Sequence, residues 1–277
     1  MEKVGEVGGF ILPSRVQSPS SITTYKKCPR KYYYSYIEKL EQKQSIHTIR
    51  GSIAHSVLDK FFTIDVSTLL KENYAHFFRL AVQDLLVKEW QSKQKEIEAI
   101  GVKKGSEIVF FEETLVMLFN WLEHFISRFS QEDGSVSEIF RKLTPLRELQ
   151  YMSEDLFVKG IIDVIERHGP ETRIMDYKTS NHSNIEEYRL QLAVYSLLYF
   201  ERHKKLPDKV GIYFLKENKI KFVNVDDSLL DFAKKEIDLI HQNTFSKEKR
   251  HYPKHITSLC KWSSGQCDFY DVCMGDE

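Results

Sequence analysis

The sequence predicts an α/β fold: a mixed central sheet flanked by helices, with a helical insertion at roughly residues 65–140. Three observations carry this expectation. The first half of the chain repeats apolar residues at helical spacing. From Leu146 onward the pattern changes to β-branched and aromatic runs of strand length. Two of those runs are joined by His168-Gly169-Pro170-Glu171, a tight-turn signal. Helices, then three strands, a helix and further strands satisfy their apolar faces best as layers on one sheet.

The elements follow in order. Residues 1–17, with several glycines, read as a flexible leader, and residues 18–277 as a single domain. Ser18-Pro19-Ser20-Ser21 combines hydroxyl caps with an early proline, so a short helix runs toward Cys28. Pro29 interrupts it and opens a second helix through Tyr36. Gly51 to Phe62 reads as a helix because Ile53, Val57 and Phe61 recur at its period. Residues 67–100 and 106–130 read as two longer helices, punctuated by Gly101 and Gly105. Leu146 to Tyr151, Leu156 to Arg167 and Thr172 to Thr179 read as strands, and Asn184 to Lys204 as a helix. Val210 to Leu215 and Ile220 to Val225 form a strand pair turning at Glu217-Asn218. Ser228 to Gln242 is an amphipathic helix, and a cysteine-bearing tail occupies about residues 250–277.

Composition narrows the function. Apolar residues make up 42% of the chain, enough to bury a core, so extensive disorder is excluded. Forty basic and forty acidic residues cancel. A globally basic, non-specific DNA binder is therefore excluded, and any nucleic-acid surface must be a local patch. The most apolar helical stretch, Leu190 to Phe200, is too short to span a bilayer and contains Gln191, so no membrane association is expected. The N-terminus has no basic region followed by an apolar run, so the default location is cytoplasmic. Thiols stay reduced there, and four cysteines read better as metal ligands than as disulfides.

The most informative segment is Gly160 to Ser180. If its strands pair symmetrically about the Gly169–Pro170 bond, Glu166 faces Arg173, Ile165 faces Ile174, Val164 faces Met175 and Ile162 faces Tyr177. In that register Asp163 faces Asp176, and Lys178 lies two residues on, sharing a face with Asp176. Carboxylates directly opposite have Cβ atoms about 4.5–5.5 Å apart and repel, so one tends to hold a proton. A hard divalent cation, Mg²⁺ or Mn²⁺, removes the conflict. The plainer alternative is two exposed aspartates on a surface strand pair, though Asp is disfavoured within strands.

Asp163 followed by Asp176-Tyr177-Lys178 resembles the signature of the PD-(D/E)xK nuclease superfamily. Gly160-x-x-Asp163 with Asp176-Tyr177-Lys178-Thr179 is similar to its RecB-like branch. The resemblance covers roughly residues 18–60 and 145–273 and implies a restriction-endonuclease-like core. It implies that His55, in Gly51-Ser-Ile-Ala-His55-Ser-Val-Leu58, helps to bind the metal, with the Tyr177 backbone carbonyl as a further ligand. It also implies that Gln191 and Tyr195, four apart on one helix face, orient water or phosphate. On the residues alone, His55 can be an ordinary packing histidine and Gln191–Tyr195 an interior polar pair. Glu148, on the strand before the hairpin, occupies a place where related nucleases often carry an acid; glutamate on an edge strand is also common without function.

Cys28 stands alone near the N-terminus, while Cys260, Cys267 and Cys273 cluster near the end. This arrangement resembles the iron–sulfur staple of AddB-type and CRISPR-associated RecB-like nucleases, in which one cysteine before the core joins three after it around a [4Fe–4S] cluster. The gap Lys261 to Gln266 is longer than the two residues usual there, which reads as a small loop insertion and keeps structural Zn²⁺ as the competitor.

The resemblance implies a metal-dependent deoxyribonuclease, in the main an exonuclease, that acts on DNA, single-stranded or with a free end. DNA repair or recombination with a helicase partner, and CRISPR spacer processing with an integration partner, both fit. A non-catalytic DNA-binding or scaffolding module on the same fold is the alternative. Lys26, Lys27, Arg30 and Lys31 adjoin Tyr32, Tyr33, Tyr34 and Tyr36, a mixture that suits single-stranded nucleic acid or, equally, tyrosines packed beneath the cysteine staple.

Overall fold

The computed structural model describes residues 14–180, 183–263 and 265–275. A five-stranded sheet runs in the order β1 (Leu146–Ser153), β2 (Val158–His168), β3 (Glu171–Lys178), β4 (Lys209–Phe214), β5 (Lys219–Val223). Only β3 and β4 are parallel; the other neighbours are antiparallel, so the sheet is mixed as expected. The crossover between β3 and β4 is α8 (Arg189–His203), the helix that a parallel connection requires.

Two helical layers cover the sheet. On one face α8, buried from Leu192 to Tyr199, packs with α1 (Pro19–Lys27), itself flanked by α2 (Pro29–Tyr32), and with α9 (Asp227–Asn243) over Ile162, Ile174, Val210 and Ile212. The other face carries α3 (Ile46–Phe61), α4 (Tyr74–Ser92), α5 (Gln94–Ala99), α6 (Lys104–Phe129) and α7 (Val136–Leu143) over Val164, Met175, Tyr177 and Tyr213. The segment expected as an insertion thus builds, with α3, a complete second core. No helix among the described residues is long and apolar enough to cross a membrane.

The structure departs from the sequence reading in several places. The helix read over 67–100 is two helices that begin at Tyr74 and break at Lys93, and the helix from Pro29 is α-helical only to Tyr32. Helix α3 begins five residues before Gly51, where Ser45 and Thr48 cap one another. Helix α7 was not anticipated, although Ser135 and Glu138 form a capping box at its start. The leader read to residue 17 joins the fold before that point: Gln17 is fully buried, bridges to Val158, and bonds Tyr32 and Thr244. Residues 1–13 lie outside the described residues.

Candidate active site

The β2–β3 hairpin has the expected register from His168–Glu171 to Val164–Met175, and Gly169 supplies the turn with φ 58°. Beyond Val164–Met175 the ladder ends. Asp163 and Asp176 are therefore not a ladder pair as anticipated. Asp163 Oδ2 instead accepts the Tyr177 N–H at 3.0 Å, while β3 continues along β4 and the first half of β2 along β1. The sheet splits here, and the split is an open cleft of roughly 480 Å³. His55, Glu148, Asp163, Asp176, Lys178, Gln191 and Tyr195 all line it.

The β1–β2 ladder also skips one pair, Glu148 opposite Asp163, between Arg147–Val164 and Leu149–Ile162. Glu148 takes φ 48°, a left-handed conformation that costs about 1–3 kcal/mol for a non-glycine residue. Its carboxylate, the His55 imidazole and the Asp163 carboxylate bring ligand atoms within 4.8 Å of one another. The sequence pointed to Glu148 only weakly, because what brings it to the centre is this backbone twist rather than strand periodicity.

His55 comes from the middle of α3. Its Nε2 lies 3.0 Å from the Tyr177 carbonyl, an acceptor, so Nε2 carries a proton. Its Nδ1 lies 3.3 Å from Asp163 Oδ2. Burial lowers the His55 pKa and favours the neutral ring, whose Nδ1 lone pair then confronts the carboxylate. Burial and the neighbouring Asp176 push the Asp163 pKa up to about 8. Glu148 is raised as well, by burial, Asp59 and Asp176. Two carboxyl groups and an imidazole thus converge where a negative charge is poorly tolerated.

Asp176 is held from both sides. Gln191 Nε2 donates to its Oδ1 at 2.7 Å and to the Tyr195 hydroxyl at 2.8 Å. Oδ2 lies 2.7 Å from Lys178 Nζ but has no aligned hydrogen bond, although the side chain is only 2% exposed. Burial opposes the Lys178 charge, but Asp176 outweighs it and holds the ammonium pKa above its usual value. Burial and Asp176 likewise raise the Tyr195 pKa, so the phenol keeps its proton. Gly160 is fitted to Tyr195: a Cβ there would lie 2.9 Å from the ring. On the opposite face Trp121 Nε1 donates to the Tyr177 hydroxyl at 3.1 Å, anchoring the residue between Asp176 and Lys178 to α6.

Away from this cleft, Cys28, Cys260, Cys267 and Cys273 line one cavity of about 110 Å³ with Tyr34 and Phe269. The long gap between the second and third cysteines folds into a two-stranded turn, β6 (Lys261–Trp262) against β7 (Gly265–Gln266). Cys267 N donates to the Cys260 carbonyl at 2.9 Å, which brings the flanking cysteines side by side. No three of the four sulfurs approach within 4.8 Å of one another. Tyr32, Tyr33 and Tyr34 are buried against Tyr252 and Phe269, so these three pack beneath the staple, whereas Tyr36 stays half-buried under Arg15.

Comparison with known proteins agrees with this geometry. The PD-(D/E)XK nuclease superfamily model matches residues 17–274. The chain is 27% identical over 209 residues to an ATP-dependent helicase/deoxyribonuclease subunit of Carboxydothermus hydrogenoformans, covering 68% of this chain and 18% of that protein. It is 25% identical over 222 residues to the DNA replication ATP-dependent helicase/nuclease DNA2 of Gallus gallus, covering 72% of this chain and 22% of that one. The chain therefore spans about a fifth of the length of these curated relatives. A solved structure of a candidate exonuclease from Eubacterium rectale shares the fold, with a TM-score of 0.50 at 14% identity over 95% of this chain and 88% of that one. The split sheet, the acid-lined cleft at its fork and a family match along nearly the whole chain lead to one conclusion: this protein belongs to the PD-(D/E)XK nuclease superfamily.

Proposed function

We propose that the chain is a divalent-metal-dependent deoxyribonuclease that hydrolyses phosphodiester bonds, acting exonucleolytically on DNA with a free end. One observation carries this reading: the fork of the sheet gathers His55, Glu148, Asp163 and Asp176 into a charge conflict that a cation relieves. The carboxylate oxygens fit Mg²⁺ or Mn²⁺, and the imidazole favours Mn²⁺, the softer of the two. The buried Asp176 Oδ2, which has the Lys178 ammonium beside it but no aligned hydrogen bond, is a further donor oxygen.

Asp163, Asp176, Glu148 and His55 would hold the ion, with the Tyr177 carbonyl as an additional oxygen. When bound, the ion supplies a water of lowered pKa and neutralises charge on the phosphate. The protein's own groups do the rest. Lys178, beside Asp176, offsets charge as it develops on the phosphate or holds the proton of the attacking water. Gln191 fixes Asp176 Oδ1 and the Tyr195 phenol, while Oδ2 faces the Lys178 ammonium.

The cysteine cavity is read as the seat of a [4Fe–4S] cluster. Tetrahedral zinc with Zn–S bonds of about 2.3 Å would hold its sulfurs roughly 3.8 Å apart. One cavity lined by all four thiols, several times the volume of a single ion, favours the larger group. The two curated relatives are named as helicase–nuclease proteins, which favours a helicase partner over a CRISPR integration partner.

The test is cleavage of end-labelled single- and double-stranded DNA with Mg²⁺, Mn²⁺ or chelator. Metal-dependent shortening from an end, lost in Asp176→Ala, supports the reading. Absence of cleavage with every metal and substrate sinks it and leaves the scaffolding alternative.

A further inference from the structure

The cleft has a second set of polar groups that hydrolysis does not use. On β2, Lys159, Ile161 and Asp163 share a face because side chains alternate with period two, and all three line the cleft. Read inward, that face runs cation, apolar, acid. Gln150 on β1 pairs with Ile161, which makes it the diagonal neighbour of Lys159. Ser20, in the first turn of α1, lines the same cleft. Among the described residues the Lys159 ammonium, the Gln150 amide and the Ser20 hydroxyl have no hydrogen-bond or ion-pair partner. Lys178, the other lysine of the cleft, is committed to Asp176. Ile161 lies between acid and cation with 52% of its surface exposed.

We propose that Lys159, Gln150 and Ser20 form a subsite for an internal phosphodiester of the DNA strand, within about three nucleotides of the scissile one. Ile161 is the apolar surface on which the intervening sugar or base rests. This rests on the nuclease reading above. Lys159 and Asp163 are about 13 Å apart between Cα atoms, at roughly 3.3 Å per strand residue. The lysine stem shortens that by several ångströms, and a stacked strand advances ~3.4 Å per nucleotide, so one strand reaches both groups. The carboxylates repel a polyanion, and a chain of zero net charge has no global field to offset them, so attraction must come from a cation within the cleft.

The test measures binding of a fluorescent oligothymidylate in Ca²⁺ across a salt series, and cleavage kinetics in Mg²⁺ or Mn²⁺. The proteins are wild type, Lys159→Ala, Lys159→Arg and Gln150→Ala. Lys159→Ala should raise Kd about 3–10-fold and lower the log–log salt slope by about 0.7, the loss of one single-strand phosphate contact. KM should rise with kcat within about twofold, since the group binds ground and transition states alike. Gln150→Ala should raise Kd less, and Lys159→Arg should restore binding. The loss should be equal for oligonucleotides with phosphorylated and hydroxyl ends. A Lys159→Ala protein with wild-type Kd and slope overturns the subsite, as does failure of arginine to rescue. A loss confined to end-phosphorylated oligonucleotides overturns the internal assignment. A wild-type protein that neither binds nor cleaves DNA removes the nuclease reading itself.

Discussion

Replacing Asp163 by Asn should stabilise the metal-free protein while abolishing its catalysis. Asn is nearly isosteric and retains an acceptor for the Tyr177 N–H. What it removes is a carboxyl group whose pKa rises from 3.8 to about 8, chiefly through burial and then through Asp176. The folded protein therefore binds a proton that the unfolded chain releases near pH 4. The stability this group contributes is full below that point and is lost as pH rises toward 8. At pH 7 the suppressed ionisation spans about three pH units at ~1.4 kcal/mol each, so the ceiling is about 4 kcal/mol. The side chain retains 12% exposure in a cleft open to water, which relaxes part of that penalty. A gain of about 1–3 kcal/mol, or a melting temperature higher by ~2–6 °C, is the expected effect for a chain of this length. The assay is thermal unfolding of both proteins in chelator from pH 4 to pH 8. The advantage of Asn should be near zero at pH 4 and grow toward pH 8, and saturating Mn²⁺ should reverse it by stabilising the wild type. A variant destabilised in chelator at pH 8, or an advantage independent of pH, refutes the argument from charge conflict.

Further outcomes follow from the same geometry. Lys178→Ala should lower kcat by a factor of at least ~10², with the far-UV circular dichroism spectrum unchanged. Gly160→Ala should destabilise by about 1–3 kcal/mol by forcing a Cβ against Tyr195, and the double variant with Tyr195→Leu should recover part of that loss in urea unfolding. Anaerobically purified protein should be brown, with visible absorption bleached by dithionite and about four irons per chain. Cys28→Ser should lose that absorption and lower the melting temperature by several degrees. A colourless wild type holding one zinc would contradict the cluster.

Much of the fold was legible because its signals are local. The turn at Gly169, the period-two pattern on either side and the capping hydroxyls before α1 each act within a few residues, and each appears in the structure as expected. What was not legible depends on distant contacts. The left-handed Glu148 is imposed by the join of β1 to β2, so strand periodicity did not bring it to the centre. The Asp163–Asp176 relation was right in neighbourhood and wrong in detail. Register alone does not reveal that the β2–β3 ladder stops at Val164–Met175 while β3, already paired with β4 from Arg173, continues along it. The fate of the tyrosine run was open for the same reason: its burial depends on Tyr252 and Phe269, more than two hundred residues away. Helix α7 could have been found from its Ser135–Glu138 capping box.

The most direct test of the shared-cation account is crystallography with Mn²⁺ and an anomalous difference map collected at the manganese edge. The expected peak lies at the fork of the sheet, in contact with His55, Glu148, Asp163 and Asp176, and it vanishes in Asp163→Asn crystals. A protein that cleaves DNA in Mn²⁺ yet shows its manganese elsewhere would contradict the account.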